Sequence, residues 1–404
     1  MVYQSPAGAR DLLPLDVTQK RWIEDRLQQM FHRWGYHRII TSTLERLDTL
    51  MAGGAIQRST VIQLQSGEDE ALGLRPELTA SIARAAVTRM AGSAYPLRLY
   101  YNANVFRKTE DSSHNQQESY QAGVELLGAG GLVADAEILL LLMDCLNTLK
   151  LQDWTLVLGE AELTRSLLSP FPDALRDQVR WAIAHLDRIT LETLPLSAEL
   201  RDRALLLMDL RGCPADVLQR VANLELDISQ REILNNLKSL IELLDPTPHT
   251  PALILDLSLI RTFDYYTGIV FEVVHPSNAG LQVLGQGGRY DQLLGLYHPQ
   301  GQTHPGVGFS LQIEALHQVL SPTGQLPKQT STSDWLVVPD TPQAYTAALN
   351  YAQKLRDAPH PVKVELELIG RTPAKIYDYA RQRRINQIAW VKADGEAIVE
   401  TVQA

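Results

Sequence analysis

The sequence predicts an α+β protein: a mainly antiparallel sheet core flanked by helices, a helical insertion, and a small C-terminal α/β domain. Three observations predict it. Between residues 61 and 127, short strand-like stretches follow one another with polar or Gly breaks, the pattern of neighbouring antiparallel strands. From about residue 160 to 245 the texture turns to Leu, Arg, Asp and Glu at helical spacing. After residue 335, strand and helix patterns alternate.

Taken in order, residues 16–35 read as a helix. Val17, Ile23, Leu27, Met30, Phe31 and Trp34 recur near helical spacing, and Gly35 closes the C-terminus. Ile39 and Ile40 read as a strand start, and residues 61–64, 72–74, 97–106 and 118–127 as strands. Residues 135–149 are a strongly apolar helix to be buried against them. Within the insertion, residues 177–186, 198–208, 215–221 and 228–244 have helical spacing. Strand character returns at 252–257 and 269–275. Gly285-Gln286-Gly287-Gly288 and Gly306-Val307-Gly308 complete no dinucleotide fingerprint and read as tight turns. Residues 321–334, polar with Pro and Gly, read as a linker. The tail reads as strand 335–338, helix 343–358, strand 362–369, helix 373–383 and strand 387–392, with a mixed or parallel sheet. The expected division is a core at 1–320 with the insertion at about 160–245, the linker, and a domain at 335–404.

Composition narrows the class. The 404 residues are 45% hydrophobic and 21% charged, which is ordinary globular composition. No apolar run approaches ~18 residues, so no membrane span is expected. The N-terminus lacks the basic and apolar regions of a secretory signal, and a cytoplasmic location is expected. Two cysteines, Cys145 and Cys213, form no metal or disulfide spacing and read as core residues. Asp and Glu number 47 against 37 Lys and Arg, a formal charge of −10 that disfavours a phosphate-backbone partner such as tRNA.

Four segments carry the chemistry together. They are Leu74-Arg75-Pro76-Glu77-Leu78-Thr79; Asn104-Val105-Phe106-Arg107 continuing to Tyr120-Gln121-Ala122-Gly123-Val124-Glu125; Leu259-Ile260-Arg261-Thr262-Phe263-Asp264-Tyr265-Tyr266-Thr267-Gly268; and Gln286-Gly287-Gly288-Arg289-Tyr290-Asp291. In this order and spacing, from residue 8 to about 320, they resemble the histidyl-tRNA synthetases, a class II synthetase family. Gly8-Ala9-Arg10-Asp11-Leu12-Leu13-Pro14 resembles that family's opening element, and the tail its anticodon-binding domain. The resemblance implies a class II synthetase-like fold and a histidine pocket. Glu77, Gln121 and Thr79 would hold the ammonium, and Arg261 would face the carboxylate. Glu125, Tyr266 and Tyr290, with Tyr265 beside them, would bracket the imidazole. Taken singly, Glu77 also reads as a helix-start carboxylate, Tyr265 and Tyr266 as strand residues, and Arg261 as a surface ion pair. Lys375, Arg381, Arg383 and Arg384 make a modest basic face that reads as a solvated helix surface.

The ATP side departs from the family. Arg107 retains the position of a phosphate-gripping arginine. Thr109 stands where an acid is usual, and the loop after Lys108 has no Lys or Arg up to residue 118. Where the family pattern ends in Gly-Leu-Glu-Arg, this chain has Gln312-Ile313-Glu314-Ala315. Losing a charge partner of a transferring group costs several kcal/mol of transition-state stabilisation. Ser42 replaces a usual proline at the segment that forms the family's dimer interface.

A retained amino-acid pocket beside a lost phosphate arginine resembles the non-catalytic branch of this family, the regulatory subunits of ATP phosphoribosyltransferase. That resemblance implies no metal and no cofactor, histidine as regulatory ligand, and a short-form catalytic subunit as partner. It also implies a homodimer within a hetero-oligomer, acting in histidine biosynthesis. An active histidyl-tRNA synthetase is the alternative, and a translational RNA sensor a third reading.

Overall fold

The computed structural model describes residues 5–6, 8–54, 56–64, 71–108, 116–244, 252–259, 265–277 and 280–402. The chain divides into two compact units, Met1–Pro327 and Lys328–Ala404.

The first unit is organised by a sheet of nine strands among the described residues. From edge to edge these are His37–Arg38, Leu97–Phe106, Glu118–Leu127, Gly306–Gln312, Gly280–Arg289, Ile269–Ser277, Thr155–Glu160, Ala252–Asp256 and Arg211–Gly212. Pairing is antiparallel except for His37–Arg38 on Leu97–Phe106 and Thr155–Glu160 on Ala252–Asp256. The hairpin of Leu97–Phe106 and Glu118–Leu127 runs unbroken from Leu97 opposite Leu127 to Phe106 opposite Glu118. The strand of residues 72–74 belongs elsewhere, in a separate three-stranded sheet with Leu44–Arg46 and Gln63–Leu64.

Side chains alternate across a strand, so each strand serves both faces of the sheet. On one face Tyr100, Ala122, Val124, Leu126, Val307, Phe309 and Leu311 pack under helices Pro14–Arg33 and Leu132–Thr148 in the main core. The helix Leu132–Thr148 is apolar nearly all round because the sheet and neighbouring helices cover it. On the other face Leu99, Tyr101 and Leu127 pack with Ile82, Ala83 and Ala86 of helix Thr79–Thr88. Between residues 161 and 244 the insertion is built of helices joined by short connections, with the two-residue strand Arg211–Gly212 among them.

Several expectations need correcting. The Gly285–Gly288 and Gly306–Gly308 segments are strand interiors, not turns. They lack side chains because neighbours occupy the space, as the site shows below. The first helix spans Pro14–Arg33, with Pro14 in its first turn, and the following strand is His37–Arg38, leaving Ile40 exposed. Cys145 is buried, but Cys213 is exposed beside the helix Pro214–Ala222. Leu326, within the expected linker, is buried in the core of the first unit.

In the second unit, strands Val364–Leu366, Trp335–Pro339, Gln387–Val391 and Ala397–Thr401 form one mixed sheet in that order. The first two pairings are parallel and the last antiparallel. The sequence reading had no counterpart for the edge strand Ala397–Thr401. Two of the four residues of its basic helix face have acidic neighbours: Arg383 pairs with Glu365 at 3.7 Å, and Arg381 lies 3.9 Å from Asp378.

Candidate functional site

On the sheet face opposite the main core lies a cavity of about 530 Å³. Its floor follows from strand register. Glu125 stands opposite Gly308, and Gly308 opposite Gly288, so the three form one row across three strands. A Cβ built on Gly308 would lie 2.1 Å from Glu125 Oε2, and one on Gly288 2.6 Å from the Tyr266 ring. Both are shorter than any tolerated contact, so glycine at these positions is what lets Glu125 and Tyr266 lie flat on the sheet. One step along, Gly123 leaves room for the Tyr101 hydroxyl in the same way.

Glu125 is the least exposed carboxyl among the described residues, at 1%. Thr79 Oγ1 donates to its Oε1 at 2.7 Å, and the Tyr290 hydroxyl donates to its Oε2. Burial pushes its carboxyl up to about 8, the two hydroxyls pull the other way, and nearby Glu77 adds to the rise. Glu77 sits at the start of helix Thr79–Thr88. Its carboxylate accepts the backbone N–H groups of Thr79 at 2.6 Å and Ala80 at 2.9 Å, two of the donors a helix start leaves unpaired. Burial raises this carboxyl as well, against those hydrogen bonds and Arg107. Tyr101, Tyr265, Tyr266 and Tyr290 are all pushed up, first by burial and then by Glu125, joined by Glu77 for all but Tyr290, so they stay neutral hydroxyls. Their rings interlock: Tyr265 meets Tyr266 edge-on at 4.9 Å and tilts over Tyr290 at 5.5 Å.

The expected residues separate by position. Glu77, Thr79, Gln121, Glu125, Tyr265, Tyr266 and Tyr290 all line this one cavity, together with Arg107. Thr79 and Tyr290 direct their hydroxyls to Glu125, and Glu77 does act as the helix-start carboxylate. Tyr265 and Tyr266 sit in the turn before strand Ile269–Ser277, not within a strand. Arg261 and Thr109 lie outside the described residues. Gln312 ends its strand opposite Gln121, and Ala315 is 6% exposed within the main core, off the cavity lining.

Two motif arginines are scaffold. Arg75, 3% exposed, reaches the carbonyls of Thr41, Ser42 and Asn104. Arg289 bridges Asp135 and Asp291, and Asp291 accepts the Gly306 N–H at 3.2 Å. These bonds fix Tyr290 between two held neighbours. Sequence reasoning missed Tyr101, Lys108, Gln57, Thr60, Gln286 and Ser310 in the lining. Tyr101 had a signal: it pairs with Gly123, two residues from both Gln121 and Glu125, and so shares their face.

Chemically, the cavity puts two carboxylates and four hydroxyl-bearing rings at its base, with Arg107 and exposed Lys108 also on its lining. It suits a small ligand that carries both a cationic amine and a ring with N–H groups. Among the described residues no cluster of His, Cys, Asp or Glu suits a metal ion, and no helix is long and apolar enough to cross a membrane.

Comparison with known proteins follows this geometry. Residues 8–316 match the family model described as histidyl-tRNA synthetase. The chain is 67% identical over 403 residues to a protein from Nostoc sp. PCC 7120 called ATP phosphoribosyltransferase regulatory subunit, covering 100% of both chains. A Bacillus halodurans structure described as an ATP phosphoribosyltransferase regulatory subunit/histidyl-tRNA synthetase aligns with TM-score 0.81 and 26% identity, over 97% of this chain and 99% of that one. Histidyl-tRNA synthetase from Nostoc sp. PCC 7120 shares the fold, with TM-score 0.77 and 20% identity over 99% and 97% of the two chains.

Proposed function

From the premise that this chain belongs to the histidyl-tRNA synthetase family, and within it to the ATP phosphoribosyltransferase regulatory subunits, we propose that its cavity is a feedback site for free histidine. The chain is a regulatory subunit and not the catalyst. The observation that carries the proposal is Glu125, buried on a glycine floor and held by Thr79 and Tyr290, with Glu77 and Gln121 on the same lining. A ring N–H of the ligand meets Glu125, and the amine meets Glu77 and Gln121. A site built around such groups rejects analogues that leave them unpaired, by factors of about 10⁴ or more. Position 315, a buried alanine, supplies no cation for a transferring phosphate.

In this reading the partner is a short-form catalytic subunit, and the regulatory chain pairs with itself inside the hetero-oligomer. Histidine acts by binding one arrangement of the assembly better than another, since a ligand with equal affinity for both shifts nothing. No cofactor takes part.

The test is phosphoribosyl transfer by the catalytic subunit from the same genome, with and without this chain, across a histidine titration. Activity should rise on mixing and fall with histidine, and Glu125→Gln should keep the rise but lose the fall. A catalytic subunit indifferent to the chain, or a Glu125→Gln complex still inhibited at the same histidine concentration, overturns the proposal.

A further inference from the structure

The segment that carries Tyr265 and Tyr266 joins strand Ala252–Asp256 to strand Ile269–Ser277. Helix Ala161–Leu167, the first of the insertion, is bonded to both ends of it. At the far end the Ala161 N–H donates to Gly268 O at 2.8 Å, and Arg165 Nη2 donates to Tyr266 O at 2.9 Å. At the near end the Thr164 hydroxyl shares its proton between Glu160 O at 2.8 Å and Leu257 O at 3.0 Å. The helix is itself anchored: Glu160, the last residue of strand Thr155–Glu160, accepts the Leu163 N–H and so caps it. It is also tied to the rest of the insertion. Gln230, on helix Ile228–Leu244, donates to Ser166 Oγ at 2.6 Å and is 7% exposed.

We propose that helix Ala161–Leu167 clamps the ligand-bearing segment, and that Arg165 is a positioning residue for Tyr266 through which the pocket and the helical insertion are coupled. This rests on the reading of the cavity as a histidine site. The geometry is directional. Beyond Tyr266, Thr267 N donates to Arg289 O at 2.7 Å, and Asp291 N donates to Thr267 Oγ1 at 2.9 Å, so the sheet holds that side. The Tyr266 carbonyl is held from the insertion side by a guanidinium, a charge-assisted bond stronger than a neutral one. Turning that peptide would swing the Tyr266 ring off Gly288, whose missing side chain leaves room for it. A ligand that orders Tyr265 and Tyr266 therefore stiffens the clamp, and through Ser166 and Gln230 the helix Ile228–Leu244. Linkage makes the effect reciprocal: a partner that orders the insertion tightens the pocket.

The test uses the full chain as wild type, Arg165→Met and Arg165→Lys, with amide hydrogen exchange, calorimetric titration with histidine, and thermal melting. In the free protein Arg165→Met should speed exchange at residues 265–268 about tenfold and weaken histidine about tenfold, the worth of one good hydrogen bond. Arg165→Lys, which still donates to the carbonyl, should recover most of both. Histidine should protect helix Ile228–Leu244 in the wild type and fail to do so in Arg165→Met. Wild-type exchange at 265–268 in free Arg165→Met overturns the clamp, and undiminished protection of Ile228–Leu244 overturns the coupling. If the wild-type chain binds no histidine, the feedback reading fails by itself, and the exchange comparison in the free protein still judges the clamp.

Discussion

The two faces of the nine-stranded sheet are cut from the same strands yet follow opposite rules. Val124 is fully buried among hydrocarbon under two helices, while Glu125, the next residue, is as deeply buried against hydroxyls and glycine backbone. The first face gains from every methylene placed there. The second gives up side chains at 308 and 288 and takes in two carboxylates, whose charge burial opposes. Period-two alternation lets one strand carry both duties, so stability and ligand recognition are separated by a single residue step.

If the faces are independent, mutations should separate cleanly. Leu142→Ala, in the helix over the apolar face, should cost about 2–5 kcal/mol of stability and leave histidine affinity unchanged below the melting transition. Chemical denaturation and calorimetry on one sample check both, and a tenfold loss of affinity would break the separation. Glu125→Ala should act mainly on the other scale, weakening histidine about 100-fold because the ligand ring loses its partner, while the stranded Thr79 and Tyr290 hydroxyls cost about 1–3 kcal/mol of stability. Gly308→Ala sharpens the boundary, because its Cβ would meet Glu125 Oε2 at 2.1 Å and Val124 O at 2.3 Å. It should cost about 1–3 kcal/mol through overpacking and also weaken histidine, without removing any group that touches the ligand.

The polar face should also show itself as a slope with pH. Glu125 stands at about 8 in the free folded protein, against about 4.3 for an exposed Glu. A carboxyl raised on folding contributes stability that is complete below its unfolded value and lost as pH rises through its folded value. Free protein should therefore lose stability between about pH 4.3 and 8, at up to roughly 1.4 kcal/mol per pH unit from this group. Glu160, pushed by burial to about 7, adds a share over the lower part of that range. Glu125→Gln should flatten the slope, most clearly between about pH 7 and 8, above the value of Glu160. A variant that melts with the wild-type slope from pH 5 to 8 would show that this carboxyl is ionised in the empty cavity.

Much of this was legible in the chain. The hairpin strands Leu97–Phe106 and Glu118–Leu127 and the insertion helices Ala198–Met208 and Ile228–Leu244 fall on the expected residues because local periodicity decides them. The glycine segments misled because local sequence supports a turn there. Only the partner strand, through Glu125 and Tyr266, reveals why side chains are missing. Helix Thr79–Thr88 was hidden for a related reason: its small apolar residues show little contrast, and its start is marked by Glu77, a residue that also lines the cavity. Arg75 and Arg289 stood inside the most informative motifs, yet they hold backbone and neighbouring acids. A motif records what is needed at a place without saying which residues touch the ligand.

The contact between Glu125 and Gly308 also constrains how such a chain can change. While the carboxylate lies where it does, no side chain fits at 308. Position 308 is open to substitution only after 125 has shrunk or turned away and the Val124 carbonyl, 2.3 Å from a Cβ there, has also shifted. Descent from this arrangement is therefore ordered: recognition at 125 must be surrendered first, and once a side chain has settled at 308, restoring glutamate at 125 alone no longer restores the pocket.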